Sequence, residues 1–259
     1  MPSVPTEKVP RRVLNVFYLL DVSGSMAGAK ITMLNSAMEE TTAELKKQAK
    51  NNADAEVKVA VLAFSSGCQW LNPAGPESLE EDFIWEELQA GGLTDMGAAL
   101  KELDSKLSRE SYLNSITGNY MPVIIVMTDG GATDDYTKAL AEIRQNKWFQ
   151  RATKIGFAIG EDADARMICD VVGNSEAVVK TSDLKLFANM IKFASVTASM
   201  LASKSRTTDT GVSGADIVKT VVDSGDAPSD VVVTGVSYDP EPAPAPPASS
   251  GDWDDDSDW

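Results

Sequence analysis

Asp21, Ser23 and Ser25 occupy alternate positions of one short segment, Asp21-Val22-Ser23-Gly24-Ser25. One carboxylate and two hydroxyls on short stems form an oxygen-rich cluster with no soft donor, which suits a hard cation such as Mg²⁺. The segment follows the apolar run Val13–Leu20, and a helical pattern begins near Gly28. A continuous apolar run ending in turn residues reads as a strand buried on both faces. The cluster therefore leaves the carboxyl end of a core strand, where open α/β sheets bind their ligands. Two more oxygen donors lie far away in the chain. Thr94 stands in Gly91-Gly92-Leu93-Thr94-Asp95 at the approach to a helix, and Asp129 follows the apolar run Val123–Met127. Glycines beside each of them let the backbone come close to a bound ion.

The composition removes competing chemistries. The chain of 259 residues contains no histidine, which excludes His-based acid/base work, a Ser-His-Asp triad and His-ligated zinc. Its two cysteines, Cys68 and Cys169, cannot build a zinc cluster alone and read as reduced core thiols, which points to the cytoplasm. Residues 204–259, about a fifth of the length, hold 3 basic and 12 acidic residues and carry -9 of the net charge of -16. No basic patch is offered to nucleic acid or to an anionic membrane, and no run is long enough to span one. Gly24 to Lys30 fails as a phosphate loop because Ala29 stands where its second glycine should. Asp21 as a phosphoaspartate nucleophile wants a second carboxylate two residues on, where Ser23 stands instead. A plainer reading has the Asp21–Ser25 side chains cap the helix that follows. Glu161-Asp162-Ala163-Asp164 reads as a solvated loop with a helix cap.

Elements that could position the donors alternate along the chain. Strands are expected at Val13–Leu20, Val57–Phe64, Cys68–Leu71, Val123–Met127, Lys154–Ile159 and Ala177–Lys180. Helices are expected at Gly28–Lys50, Met96–Leu107, from Asp134 or Asp135 to Asn146, at Ala165–Val172 and at Asp183–Ser203. Only the second-to-third strand connection is too short for a crossover, so that pair is antiparallel. The pattern predicts a doubly wound, mostly parallel six-stranded α/β sheet with helices on both faces. If the order is 3-2-1-4-5-6, the first and fourth strands are neighbours at the switch point, and Asp21 and Asp129 face one crevice.

Asp21-x-Ser23-x-Ser25, Thr94 and Asp129-Gly130 together resemble the metal-ion-dependent adhesion site (MIDAS) of von Willebrand factor A (VWA) domains, over about residues 12–203. The resemblance implies the order 3-2-1-4-5-6 with strand three antiparallel. It also implies that Ser23, Ser25 and Thr94 ligate Mg²⁺ through hydroxyls, while Asp21 and Asp129 hold it directly or through water. Mn²⁺ and Ca²⁺ are the alternatives. The opening Arg11-Arg12-Val13-Leu14-Asn15-Val16-Phe17-Tyr18-Leu19-Leu20-Asp21 resembles the bacterial tellurium-resistance (TerY-type) group, which implies protein kinase and PP2C-type phosphatase partners. Some members of that group continue into a cysteine-rich zinc module; this sequence runs into an acidic tail instead.

The expected organisation is a lead-in over 1–12, a VWA domain over 13–203, an extension over 204–238 and a tail over 239–259. Within the extension, Ile217–Val222 and Val231–Val236 read as β-like runs. Asp239–Pro247 is a Pro-rich spacer, and Asp252–Trp259 an acidic, Trp-containing candidate docking peptide, disordered when free. Neutral hydroxyls leave a bound ion much of its charge, and no residue nearby is suited to be a base. The expected function is a non-catalytic, Mg²⁺-dependent protein-binding adaptor in a bacterial stress-response or signalling system, binding a partner carboxylate. A regulatory subunit of a chelatase or AAA ATPase assembly, or a Mg²⁺-dependent phosphoester hydrolase, are the alternatives.

Overall fold

The computed structural model describes residues 10–80, 83–160, 163–181, 184–204, 213–223 and 232–233. Its central strand, β1 (Arg12–Asp21), is buried along its whole length apart from Arg12. Successive side chains alternate between the two faces of the sheet. Leu14, Val16, Tyr18 and Leu20 therefore enter one core, while Phe17 and Leu19 enter the other. That double burial is why the run is apolar without a break.

Parallel partners flank β1. On one side lies β2 (Ala55–Ser65), registered from Arg12↔Ala55 to Asp21↔Phe64. On the other lies β5 (Val123–Thr128), registered from Val16↔Val123 to Leu20↔Met127. Beyond β2 come the antiparallel strands β3 (Gly67–Trp70) and β4 (Glu77–Ser78). Beyond β5 come β6 (Thr153–Ile159), β7 (Val178–Thr181) and the antiparallel β8 (Val232–Val233). The order β3-β2-β1-β5-β6-β7-β8 contains the six expected strands in the expected order, with strand three antiparallel. The short β4 is not among the expected strands.

Helices cover both faces. On the first face, α1 (Ala29–Asn51) presents Leu34, Ala37, Met38 and Leu45 to a core that also takes Ile191 and Ala194. On the opposite face, α2 (Met96–Lys106) and α3 (Tyr136–Ile143) bury Leu100, Leu103, Leu140 and Ile143. The helix expected up to Asn146 ends at Ile143, and a further short helix follows it. Asn146 Oδ1 accepts the Trp148 N–H at 2.9 Å and so caps a new one, α4 (Lys147–Arg151). Next, α5 (Ala165–Val172) ends at Gly173, whose φ of 78° supplies the left-handed turn of a helix stop.

The last described helices are α6 (Leu184–Lys204) and α7 (Gly214–Asp223). The β-like reading of 217–222 is corrected here: those residues are helical, and Ile217 and Val218 are buried in the same core as α1. β-branched residues at 217, 218, 221 and 222 also satisfy helical spacing, and burial decided between the two. Val232 and Val233, part of the second β-like run, do pair with β7. Residues 1–9 of the expected lead-in 1–12 and the tail 239–259 lie outside the described residues, and Arg12 already belongs to β1. Cys68, on an edge strand, and Cys169, in α5, are not joined to each other.

Candidate metal centre

Every candidate donor lies at the carboxyl end of β1 and β5 or in a loop bonded to it. Asp21 is the last residue of β1 and is fully buried. Its Oδ1 accepts the Ser23 N–H at 2.7 Å, which folds the loop back over the strand end. Met26, fully buried three residues later, plugs the loop into the core. The intervening residues make one tight turn, in which Met26 N donates to Ser23 O at 3.1 Å and Ala27 N to Gly24 O at 3.2 Å. Gly28, with φ at 82°, then starts α1.

Hydroxyl and carboxylate groups connect across this end of the sheet. Ser23 Oγ and Ser25 Oγ are 3.0 Å apart, and Ser25 Oγ donates to Asp129 Oδ1 at 2.7 Å. Lys30 Nζ donates to the other oxygen, Asp129 Oδ2, in an ion pair whose carboxylate side chain is fully buried. Ser25 is exposed, so the cluster opens to solvent on one side.

Thr94 arrives by its loop. Gly91 N donates to Val22 O at 2.7 Å, and Gly24 N donates to Gly92 O at 3.0 Å, stitching that loop onto the one after β1. Gly92 has φ at 85°, and a Cβ there would stand 2.8 Å from Ser66 Oγ, so both conformation and space require glycine. Thr94 N donates to Thr133 Oγ1 at 2.9 Å, while Thr133 N donates to Thr94 O at 2.8 Å. Thr94 is 6% exposed.

The sequence reading missed the residues that hold these donors in place. Thr128 donates to Asp21 Oδ2. Asp95 accepts Gly67 N–H at 2.7 Å and the Thr133 hydroxyl at 3.2 Å. Asp134 accepts Gly97 N–H and Ala98 N–H, each at 3.0 Å, and so caps α2 from another loop, whereas Asp135 caps its own helix. Lys30 carried a readable signal. A lysine in the first turn of a helix opposes the helix dipole and wants a carboxylate nearby. Asp164 takes the plainer of its two readings: it accepts Arg166 N–H at the start of α5.

Electrostatics favour a cation. Burial pushes the Asp21 carboxyl above its usual range; hydrogen bonds from Thr128 and Ser23 oppose the rise, and the nearby Asp129 charge adds to it. Asp21 and Asp129 are two buried carboxylates, and among the described residues Lys30 supplies a single countercharge. Buried carboxylates need compensating charge or coordination. Among the described residues no group of three or more His, Cys, Asp or Glu side chains gathers as a metal cluster. The set here relies on hydroxyls for its remaining oxygens, which suits a hard divalent ion. A cavity of about 540 Å³ lies at the other end of the strands, lined by Asn15, Lys58 and Thr117 among others, away from these donors.

Residues 16–132 match the model of the von Willebrand factor type A domain. Solved structures share the fold over about 70% of the chain. A von Willebrand factor type A protein from Catenulispora acidiphila is 18% identical, with a TM-score of 0.51 over 72% of this chain and 42% of its own. The ArnB paralog VWA2 from Sulfolobus acidocaldarius is 16% identical, with a TM-score of 0.53 over 70% and 44%. Proximal thread matrix protein 1 from the mussel byssus, with a zinc-occupied MIDAS motif, is 17% identical, with a TM-score of 0.50 over 70% and 47%.

The fold is that of a VWA domain. Such domains often carry a MIDAS and use it for metal-dependent protein interaction. This chain spans less than half the length of each of these three structures. No helix among the described residues is long and apolar enough to cross a membrane.

Proposed function

We propose that this chain is a non-catalytic protein-binding module whose VWA fold presents a divalent-metal site to a partner's carboxylate. The observation that carries the reading is the pair of buried carboxylates, Asp21 and Asp129, with the Ser23 and Ser25 hydroxyls between them and one ammonium as countercharge. Ser23, Ser25 and Thr94 would hold Mg²⁺, Mn²⁺ or Ca²⁺ by their hydroxyls, and Asp21 and Asp129 directly or through water. Zinc in the MIDAS motif of the mussel byssus protein supports a divalent ion at this place in the fold. Bound there, the ion would supply a hard, positively charged position open to an anionic oxygen.

The protein's part is to keep the donors in place and their charge compensated. Thr128 and the Ser23 N–H hold the Asp21 carboxylate in one orientation. Ser25 and Lys30 hold Asp129. The exposed side of the cluster, at Ser25, is where a partner has access. With no histidine in the chain, these groups favour binding over turnover. The resemblance to the TerY-type group supports a cytoplasmic adaptor in a stress-response or signalling system, with a kinase and a PP2C-type phosphatase as partners. The acidic Asp252–Trp259 peptide is a second contact for them.

The test is calorimetric titration of the full chain with MgCl₂ and MnCl₂, followed by pull-down with and without EDTA. Wild type takes up one ion and retains a partner only with metal present, and Asp21→Ala loses both. Metal-independent capture, or uptake unchanged in Asp21→Ala, overturns the reading. Phosphoester turnover abolished by Asp21→Ala would favour a hydrolase, and co-purification with a P-loop ATPase would favour the chelatase-type assembly.

A further inference from the structure

We infer that Lys30 is a built-in competitor for the divalent ion: its ammonium holds the Asp129 oxygen that the metal must draw upon, and metal uptake displaces it. This inference rests on the metal reading above. Both oxygens of Asp129 are engaged, Oδ1 by the Ser25 hydroxyl at 2.7 Å and Oδ2 by Lys30 Nζ. The Asp129 side chain is fully buried, so a further ligand must share or replace one of these partners.

Of the two, Lys30 is the one built to leave. It is the second residue of α1, where the partial positive charge of the unpaired helix N–H groups disfavours an ammonium. Its side chain is 34% exposed, so the head can return to water at little desolvation cost. A lysine head is a hydrated point charge on a four-carbon stem, without the fixed fork that locks an arginine to a carboxylate. The stem runs past Gly160, where an added Cβ would meet Lys30 Cε at 3.6 Å, an ordinary contact distance. A divalent ion drawing on Asp129 would put two like charges beside one carboxylate, and the tethered one is free to swing out.

Lys30 therefore both neutralises Asp129 and sets the metal affinity below what the oxygen donors alone would give. The test uses the full chain, stripped with EDTA and titrated with MnCl₂ by calorimetry, with thermal melts run in parallel. Removing a charged hydrogen bond that competes with the ion predicts Mn²⁺ binding about tenfold tighter in Lys30→Met. Lys30→Met also melts below wild type in EDTA, and saturating Mn²⁺ narrows that gap. Lys30→Arg keeps the charge and adds the fork that locks onto a carboxylate, so it binds Mn²⁺ more weakly than wild type. Lys30→Gln gives the same direction as Lys30→Met should the latter fold poorly. Wild type binding Mn²⁺ while Lys30→Met binds equally or more weakly overturns the inference and leaves the metal reading standing. No Mn²⁺ uptake by wild type or by Lys30→Met overturns both.

Discussion

Thr128 donates its hydroxyl hydrogen to Asp21 Oδ2 although the two residues are 107 positions apart. The parallel register explains the meeting: Leu20 lies opposite Met127, so the next residue of each strand, Asp21 and Thr128, end side by side. Thr128 Oγ1 also accepts Gly130 N–H at 3.1 Å, so one hydroxyl ties the buried carboxylate to the loop that carries Asp129.

Thr128→Val keeps the shape and removes that hydroxyl, leaving a buried carboxylate oxygen without its donor. The expected cost is about 1–3 kcal/mol of folding stability. Urea unfolding in EDTA measures it, and Mn²⁺ titration should show weaker uptake because Asp21 is no longer held in one orientation.

Asp134 caps α2 from a separate loop, with both carboxylate oxygens on backbone N–H groups of the first turn. Asp134→Ala leaves those donors unpaired and should cost about 1 kcal/mol, as the loss of a helix cap does. Hydrogen exchange should quicken at Gly97 and Ala98 before it changes in β1.

Gly92→Ala forces a side chain into a left-handed backbone and against Ser66 Oγ. Strain of about 1–2 kcal/mol is expected from the conformation alone. Gly92 O accepts Gly24 N–H, so the substitution should also part the Thr94 loop from the Ser23–Ser25 turn. A lower melting temperature together with weaker Mn²⁺ binding is the expected pair of results.

Lys154 titrates away from the site. Burial, with the Arg144 charge adding to it, lowers its ammonium to about 8. Its Nζ donates to Phe149 O at 2.8 Å. An unfolded lysine loses its proton near about 10.4. Between these values the unfolded chain binds more protons than the folded one, so stability rises as pH increases through that window. Unfolding free energies measured by urea from about pH 8 to pH 10 should climb in wild type relative to Lys154→Met. In Lys154→Met that contribution to the slope should be absent.

The amino-acid sequence determined which runs are strands, because fully apolar runs such as Val123–Met127 belong in strands buried on both faces, while their order was implied by the resemblance to VWA domains. It also marked Asp21, Ser23, Ser25 and Asp129, because short oxygen-bearing residues at strand exits break those runs abruptly. Where spacing fitted two periods, as at Ile217–Val222, only burial in the assembled core chose the helix. Tertiary structure alone decided which partner each carboxylate takes. Asp95 and Asp134 stand at the starts of helices, as caps do, yet Asp95 bonds Gly67 and Thr133, and Asp134 caps a helix from another loop. The same holds for Thr128 on Asp21 and Lys30 on Asp129. Hydrogen bonds and ion pairs depend on distances of a few ångströms between segments a hundred residues apart. Strand register and loop stitching set those distances, and no local pattern of residue types records them.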